Sequence, residues 1–174
     1  MKLTKKILLP LTLSLFMNPT FANTDNFQKL QKVAQQGHAG AQYALGSMYD
    51  NGEGITKNYA KAFEWYSKAA NQGHAGAQHD LGMMYAYGEG IAKNDVKAFE
   101  WYSKAANQGY ALSQHNLGVR YETGQGVTKS DVKAFEWYSK AATQGYVPSQ
   151  NNLASMYETG QGVTKSDVKA FEWY

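Results

Sequence analysis

The chain has no cysteine in its 174 residues, which excludes disulfides, so stability has to come from contacts between neighbouring segments. It has no run of Lys or Arg either. Phosphate binding depends on clustered cations, so nucleic acid is not expected as a partner. No Ser-His-Asp arrangement, close pair of catalytic carboxylates, nucleotide fingerprint or dense His/Asp/Glu cluster can be read along it, and neither a cofactor nor a metal ion is expected. Long apolar runs are missing too: Ile7 to Met17 is interrupted by Pro10, Thr12 and Ser14 and is short for a bilayer span.

That stretch fits a secretory signal better than an anchor. Lys2, Lys5 and Lys6 form a basic start, Ile7 to Met17 an apolar middle and Thr20-Phe21-Ala22 a small-x-small cleavage site, so residues 1–22 are read as a signal peptide. With no cysteine behind the apolar part, a lipid-modified N-terminus is excluded. Cleavage removes three Lys and no acid, taking the formal charge from +3 to zero. The apparent basicity belongs to the targeting segment.

What the chain has in abundance is repetition. The letters AFEWYSKAANQG at Ala62 to Gly73 return 36 residues later at Ala98 to Gly109 and, with one change, at Ala134 to Gly145. A period of this length marks an array of helix pairs. Units run over residues 39–74, 75–110 and 111–146, with a partial one over 147–174 and an N-terminal capping half-repeat over 23–38, where Lys29 stands at the Trp65 position. The high aromatic content falls mostly on repeat positions and is read as packing between units.

Each unit opens with a helix-period pattern, Ala41, Leu45 and Tyr49 in the first, which predicts a helix A over residues 39–51. Gly46, Gly82 and Gly118 sit inside it at a cost of about 1 kcal/mol relative to Ala, so a close crossing is expected there. A Gly-x-Gly turn ends the helix, as at Gly52-Glu53-Gly54. Ile55, Ile91, Val127 and Val163 then plug the turn into the core, and Asn58, Asn94, Ser130 and Ser166 cap a helix B over residues 59–71 and their equivalents. Glu64 and Lys68 lie four apart in the favourable order for an ion pair.

The pattern A-x-x-L-G-x-x-Y, G-x-G-[IV]-x-K, KAFEWYSKAA and Q-G resembles the Sel1-like repeat, related to the tetratricopeptide repeat, over Phe27 to Tyr174. The resemblance implies an all-α fold, a right-handed α/α superhelical solenoid of about four 36-residue repeats, serving as a non-catalytic adaptor or scaffold. It also implies a periplasmic or secreted protein of the bacterial envelope, acting in host contact or in immunity against a rival's toxin. The alternative is a cell-wall or β-lactam-acting hydrolase, as in the family's cysteine-rich branch, from which this chain departs by having no cysteine.

A partner surface is expected on helix A, opposite its core stripe at about 100° per residue. The varying letters there are Tyr43, His79, His115 and Asn151 in one row, Ser47, Met83, Val119 and Ser155 in a second, Asp50, Ala86, Glu122 and Glu158 in a third, and Asn51, Tyr87, Thr123 and Thr159 in a fourth. The resemblance puts this face on the concave side, where a protein or peptide would bind through Tyr43, Ser47, Asn51, His79, Met83, Tyr87, His115, Val119, Arg120, Thr123 and Asn151. His79 and His115, on the order of 10 Å apart, are too distant to share a metal and are read as surface histidines. Arg120 breaks a row of Met48, Met84 and Met156 and could meet a partner's carboxylate or pair internally with Glu122 or Asp80. The last helix B stops at Trp173-Tyr174 without a polar cap, so it is expected to fray; it reads as a fragment of a longer array, with end-to-end self-association through the open end as the alternative.

Overall fold

A computed structural model describes residues 19–174, with side chains from residue 26 onward. The expected segment 1–22 lies for the most part outside the described residues. Nine α-helices and no strand are found among them. The first, α1 (Pro19–Gln35), is followed by four helix pairs: α2 (Ala39–Asn51) with α3 (Tyr59–Asn71), α4 (Ala75–Tyr87) with α5 (Asp95–Asn107), α6 (Ala111–Thr123) with α7 (Asp131–Thr143), and α8 (Val147–Thr159) with α9 (Asp167–Trp173). Each helix A packs on the helix B that follows it and on the one that precedes it. The result is an all-α repeat solenoid.

The helices start and stop where local chemistry dictates. Asn58 and Asn94 accept hydrogen bonds from the backbone N–H of Lys61 and Lys97 at 2.9 Å, and Ser130 and Ser166 do the same for Lys133 and Lys169 at 3.4 and 3.3 Å. Gly52, Gly88, Gly124 and Gly160 end each helix A in the left-handed conformation. The second glycine of the turn makes room for the preceding unit. A side chain at Gly126 would strike the backbone carbonyl of Asp95 at the start of α5.

The core lies between units. The first cluster joins Ala62, Tyr66, Ala69 and Ala70 of α3 to Ala77, Leu81 and Met84 of α4, with Ile91 packed against it. Two contacts recur at the junctions, and a third lies within each unit. Phe27, Phe63, Phe99 and Phe135 meet Tyr49, Tyr85, Tyr121 and Tyr157 edge to face, with centroids 5.3 to 6.2 Å apart, each worth about 0.5–1.5 kcal/mol beyond area burial. Gln42, Gln78, Gln114 and Gln150 donate to the carbonyls of Ala34, Ala70, Ala106 and Ala142 at 3.0 to 3.2 Å, satisfying the open end of the preceding helix. Gln72, Gln108 and Gln144 in turn donate to Gln42, Gln78 and Gln114 at 2.6 to 2.7 Å.

The helix-interior glycines face a ring. A Cβ on Gly46 would lie 2.5 Å from Cδ1 of Tyr66, and one on Gly82 would lie 2.6 Å from Tyr102. The close crossing is therefore with the unit's own helix B. One expected pairing is replaced: Lys68, Lys104 and Lys140 lie over the faces of Trp65, Trp101 and Trp137 at 4.0, 3.7 and 4.0 Å from the centroids. A cation–π contact one turn back matches or exceeds an exposed Glu–Lys pair in strength.

Tyr66 is 2% exposed and cannot swing away. Gly46→Ala is thus expected to lower stability by about 1–2 kcal/mol net, since overpacking outweighs the roughly 1 kcal/mol gain in helix propensity. Ala154→Gly, at a buried alanine whose unit has the exposed Tyr174 as its tyrosine, loses about 2 kcal/mol through helix propensity and the lost methyl together. Urea unfolding midpoints of both variants test this, and a Gly46→Ala protein more stable than the parent would refute the steric account.

Candidate functional site

The expected partner residues divide sharply once placed. His79 is 6% exposed, so its reading as a surface histidine is corrected. Its Nδ1 shares a 2.9 Å hydrogen bond with Oγ of Ser113 on the next helix A, and its ring packs near Tyr102 and Tyr110. His115 is half-buried and repeats this contact with Ser149, Tyr138 and Tyr146. Tyr43 holds the same place in the first unit, stacked on His74 at 4.5 Å. The physical reason is that a helix A has neighbours on more than two sides: the face opposite its core stripe meets the next helix A. Asn151, last in that row, is exposed.

Met83 and Val119 are half-buried and pack against the second and third core clusters. Ser47 is half-buried and accepts from Asn51, which also reaches Glu53. Thr123 turns back to the carbonyl of Val119 at 2.8 Å. Tyr87 alone of the large apolar residues expected there stands well into solvent, 69% exposed.

Arg120 is also corrected. The chain's one arginine is 5% exposed and pairs with neither Glu122 nor Asp80. Its Nη1 lies 3.2 Å from Oδ1 of Asp95 and donates to the carbonyls of Asp95 and Gln125 at 3.4 and 3.3 Å. Its guanidinium carbon is 5.2 Å from the centre of the Tyr102 ring. Asp131, the counterpart of Asp95 one unit on, has Met156 at the equivalent place, and its Oδ1 has no hydrogen-bond partner. The fold thus accepts Met at this position.

Around Arg120 a cavity of about 260 Å³ opens between the second and third units. Its walls include Ala86, Tyr87, Tyr102, Asn116, Val119 and Arg120, with Lys93 and Asp95 beside them. Of the residues expected to bind a partner, the structure brings Tyr87, Val119 and Arg120 together here. Ala86, Tyr102 and Asn116 were missed as site residues, although Ala86 is the one uncharged letter in its row. Burial raises the Tyr102 hydroxyl above its usual range, with Arg120 acting the other way. Among the described residues no group of three or more His, Cys, Asp or Glu could hold a metal ion, and no helix is long and apolar enough to cross a membrane.

A second polar cluster lies at the first junction. Burial raises the Asp80 carboxyl to about 6, with the Tyr43 hydroxyl beside it opposing and Asp50 adding to the rise. Burial lowers His79 to about 4. A carboxyl raised in the folded state costs stability as pH rises from about 4 to 6, whereas a depressed histidine costs stability as pH falls below about 6.5. Asn116 and Asn152 occupy the Asp80 position in later units. Asp80→Asn is therefore expected to stabilise the protein by on the order of 1–2 kcal/mol at pH 7 and to make no difference below about pH 4. Denaturant titrations at pH 4 and pH 7 check this, and an Asp80→Asn protein weaker at pH 7 than the parent would overturn it.

The Sel1 repeat family matches residues 39–74, 75–110, 111–146 and 147–174. Comparison with curated protein sequences finds no match. Among solved structures, the chain is similar to a protective antigen of uropathogenic Escherichia coli with an SLR fold, at 39% identity and a TM-score of 0.84, covering 86% of this chain and 32% of that one. A Sel1 repeat protein from Oxalobacter formigenes is 37% identical with a TM-score of 0.81, covering 90% and 61%. The chain thus spans about a third and about three fifths of the lengths of these two. Cysteine-rich protein B of Helicobacter pylori is 25% identical with a TM-score of 0.59, covering 75% and 93%. Four successive repeat matches over nearly the whole described solenoid, with the helix pairs to go with them, make this chain a member of the Sel1 repeat family.

Proposed function

We propose that the protein is a non-catalytic adaptor that binds a protein or peptide through the surface of its A helices around Tyr87, in the bacterial envelope or outside the cell. Sel1 repeats generally serve as protein-interaction scaffolds. The observation that carries the reading is the division of labour among the residues. Most letters that the units share are engaged in junction contacts, while Tyr87 stands exposed at the mouth of a cavity where two adjacent units depart from the pattern. Exposed tyrosine beside a partly apolar recess is the kind of anchor that protein interfaces use.

The reading of the location is supported by the signal-like start of the chain and by likeness to a protein described as a protective antigen. The expected mature chain begins at Asn23. Cell fractionation with intact-mass measurement tests this, and a full-length chain confined to the cytoplasm would sink it. The binding surface is tested by replacing Tyr87 with the photo-crosslinker benzoylphenylalanine and, as a control, Glu100 on α5. Crosslinked protein from Tyr87 and little from Glu100 is expected; equal yields from both positions would contradict the assignment of the face.

A further inference from the structure

The tyrosine of each helix B has a carboxylate waiting for it sixteen residues earlier, except in one unit. Tyr66 donates to Asp50 at 3.4 Å, Tyr138 to Glu122 at 2.6 Å and Tyr174 to Glu158 at 3.2 Å. In the second unit the tyrosine is Tyr102 and the earlier position is Ala86. The space that a carboxylate side chain would fill is open and forms part of the cavity, whose wall includes both residues. The third unit departs at the same spot, with Arg120 in place of the methionine found at Met48, Met84 and Met156. Nη1 of Arg120 donates to Asp95 and to the carbonyl of Gln125, and the guanidinium also donates to the Tyr102 hydroxyl, so the two groups converge on one wall of the cavity.

We infer that this cavity receives a carboxylate of a bound peptide, held by the Tyr102 hydroxyl and the Arg120 guanidinium in the place of the side-chain carboxylate that Ala86 lacks. Asn116 adds an amide on the wall, and Lys93 with Arg120 outweighs the single charge of Asp95, so the cavity has a net positive balance. The neighbouring Tyr87, Val119 and Ala86 offer apolar surface to the residue that carries the acid or adjoins it. Arg120 is nine-tenths buried and its side chain forms part of the cavity wall, so its donors reach the site already oriented. The inference deepens the adaptor reading and rests on it.

The carboxylate has two sources, a chain end or an acidic side chain, and three peptides separate them. The isotope-labelled full chain is titrated with acetyl-Gly-Gly-Phe bearing a free C-terminus, with its C-terminal amide, and with acetyl-Gly-Asp-Phe amide, following the Ala86 and Arg120 resonances. At least one free-carboxylate peptide is expected to bind about tenfold or more tighter than the Gly-Gly-Phe amide. The stronger of the two identifies the source. Ala86→Glu and Arg120→Met each restore a residue type that other units carry, so both should fold, and each is expected to abolish the preference. No preference for carboxylate over amide, or an Ala86→Glu protein that binds like the parent, overturns the inference. A partner still crosslinked through Tyr87 in the Ala86→Glu background would also overturn it while leaving the adaptor reading intact.

Discussion

The contact on which the rest of this solenoid depends is that of a buried tyrosine on helix B with a bare glycine on helix A. The ring of Tyr66, Tyr102 or Tyr138 lies so close to Gly46, Gly82 or Gly118 that no side chain fits between them. This fixes the separation of the two helices within a unit and directs the hydroxyl along helix A to the position sixteen residues earlier. Two further surfaces follow from the same placement. The outer flank of the pair, with Leu81, Leu117 or Leu153, closes on the preceding unit's helix B, and the histidine row meets the next helix A.

A unit built this way has no complete core of its own. The alanines of α3 are covered by α4, and a carbonyl near the end of each helix B receives a second hydrogen bond from a glutamine of the next unit. Each such glutamine bond contributes about 1 kcal/mol, as a second bond to a carbonyl that already accepts the N–H of the glycine closing its helix. Neighbour contacts of this kind make stability accumulate along the array, with no need of disulfides. They also explain why Phe171, which meets no counterpart of Tyr85, Tyr121 or Tyr157, is 83% exposed where Phe63, Phe99 and Phe135 are half-buried.

Much of this was legible in the sequence. A 36-residue period, glycine turns and Asn or Ser caps were enough to place both helices of every full unit, because those signals are local. The glutamines were visible as repeated letters, yet their role needs the neighbouring unit in place. The helical wheel misassigned His79 and His115 because it distinguishes a core side from an opposite side, whereas a helix A is enclosed by its own helix B, the preceding helix B and the A helices beside it. Arg120 was legible as an anomaly, and so was Ala86 in the row of acids. That they are one feature was hidden by their separation of 34 residues and by their positions two places apart in the repeat, which only the stacking brings together.

Both departures disfavour the fold locally. Replacing methionine by arginine puts a charge where it is almost wholly shielded from water, with a single half-exposed Asp95 at 3.2 Å to offset it, and such a pair seldom recovers its desolvation cost in full. Replacing an acid by alanine removes a hydrogen bond from Tyr102 and leaves a cavity. Drift at a solvated position would leave stability almost unchanged, as the exposed Thr123 and Thr159, which fold back on their own helices, illustrate. Two destabilising changes facing one another across a junction, one baring a tyrosine hydroxyl that an acid occupies elsewhere in the repeat and the other adding a guanidinium beside it, are what a carboxylate-binding recess requires.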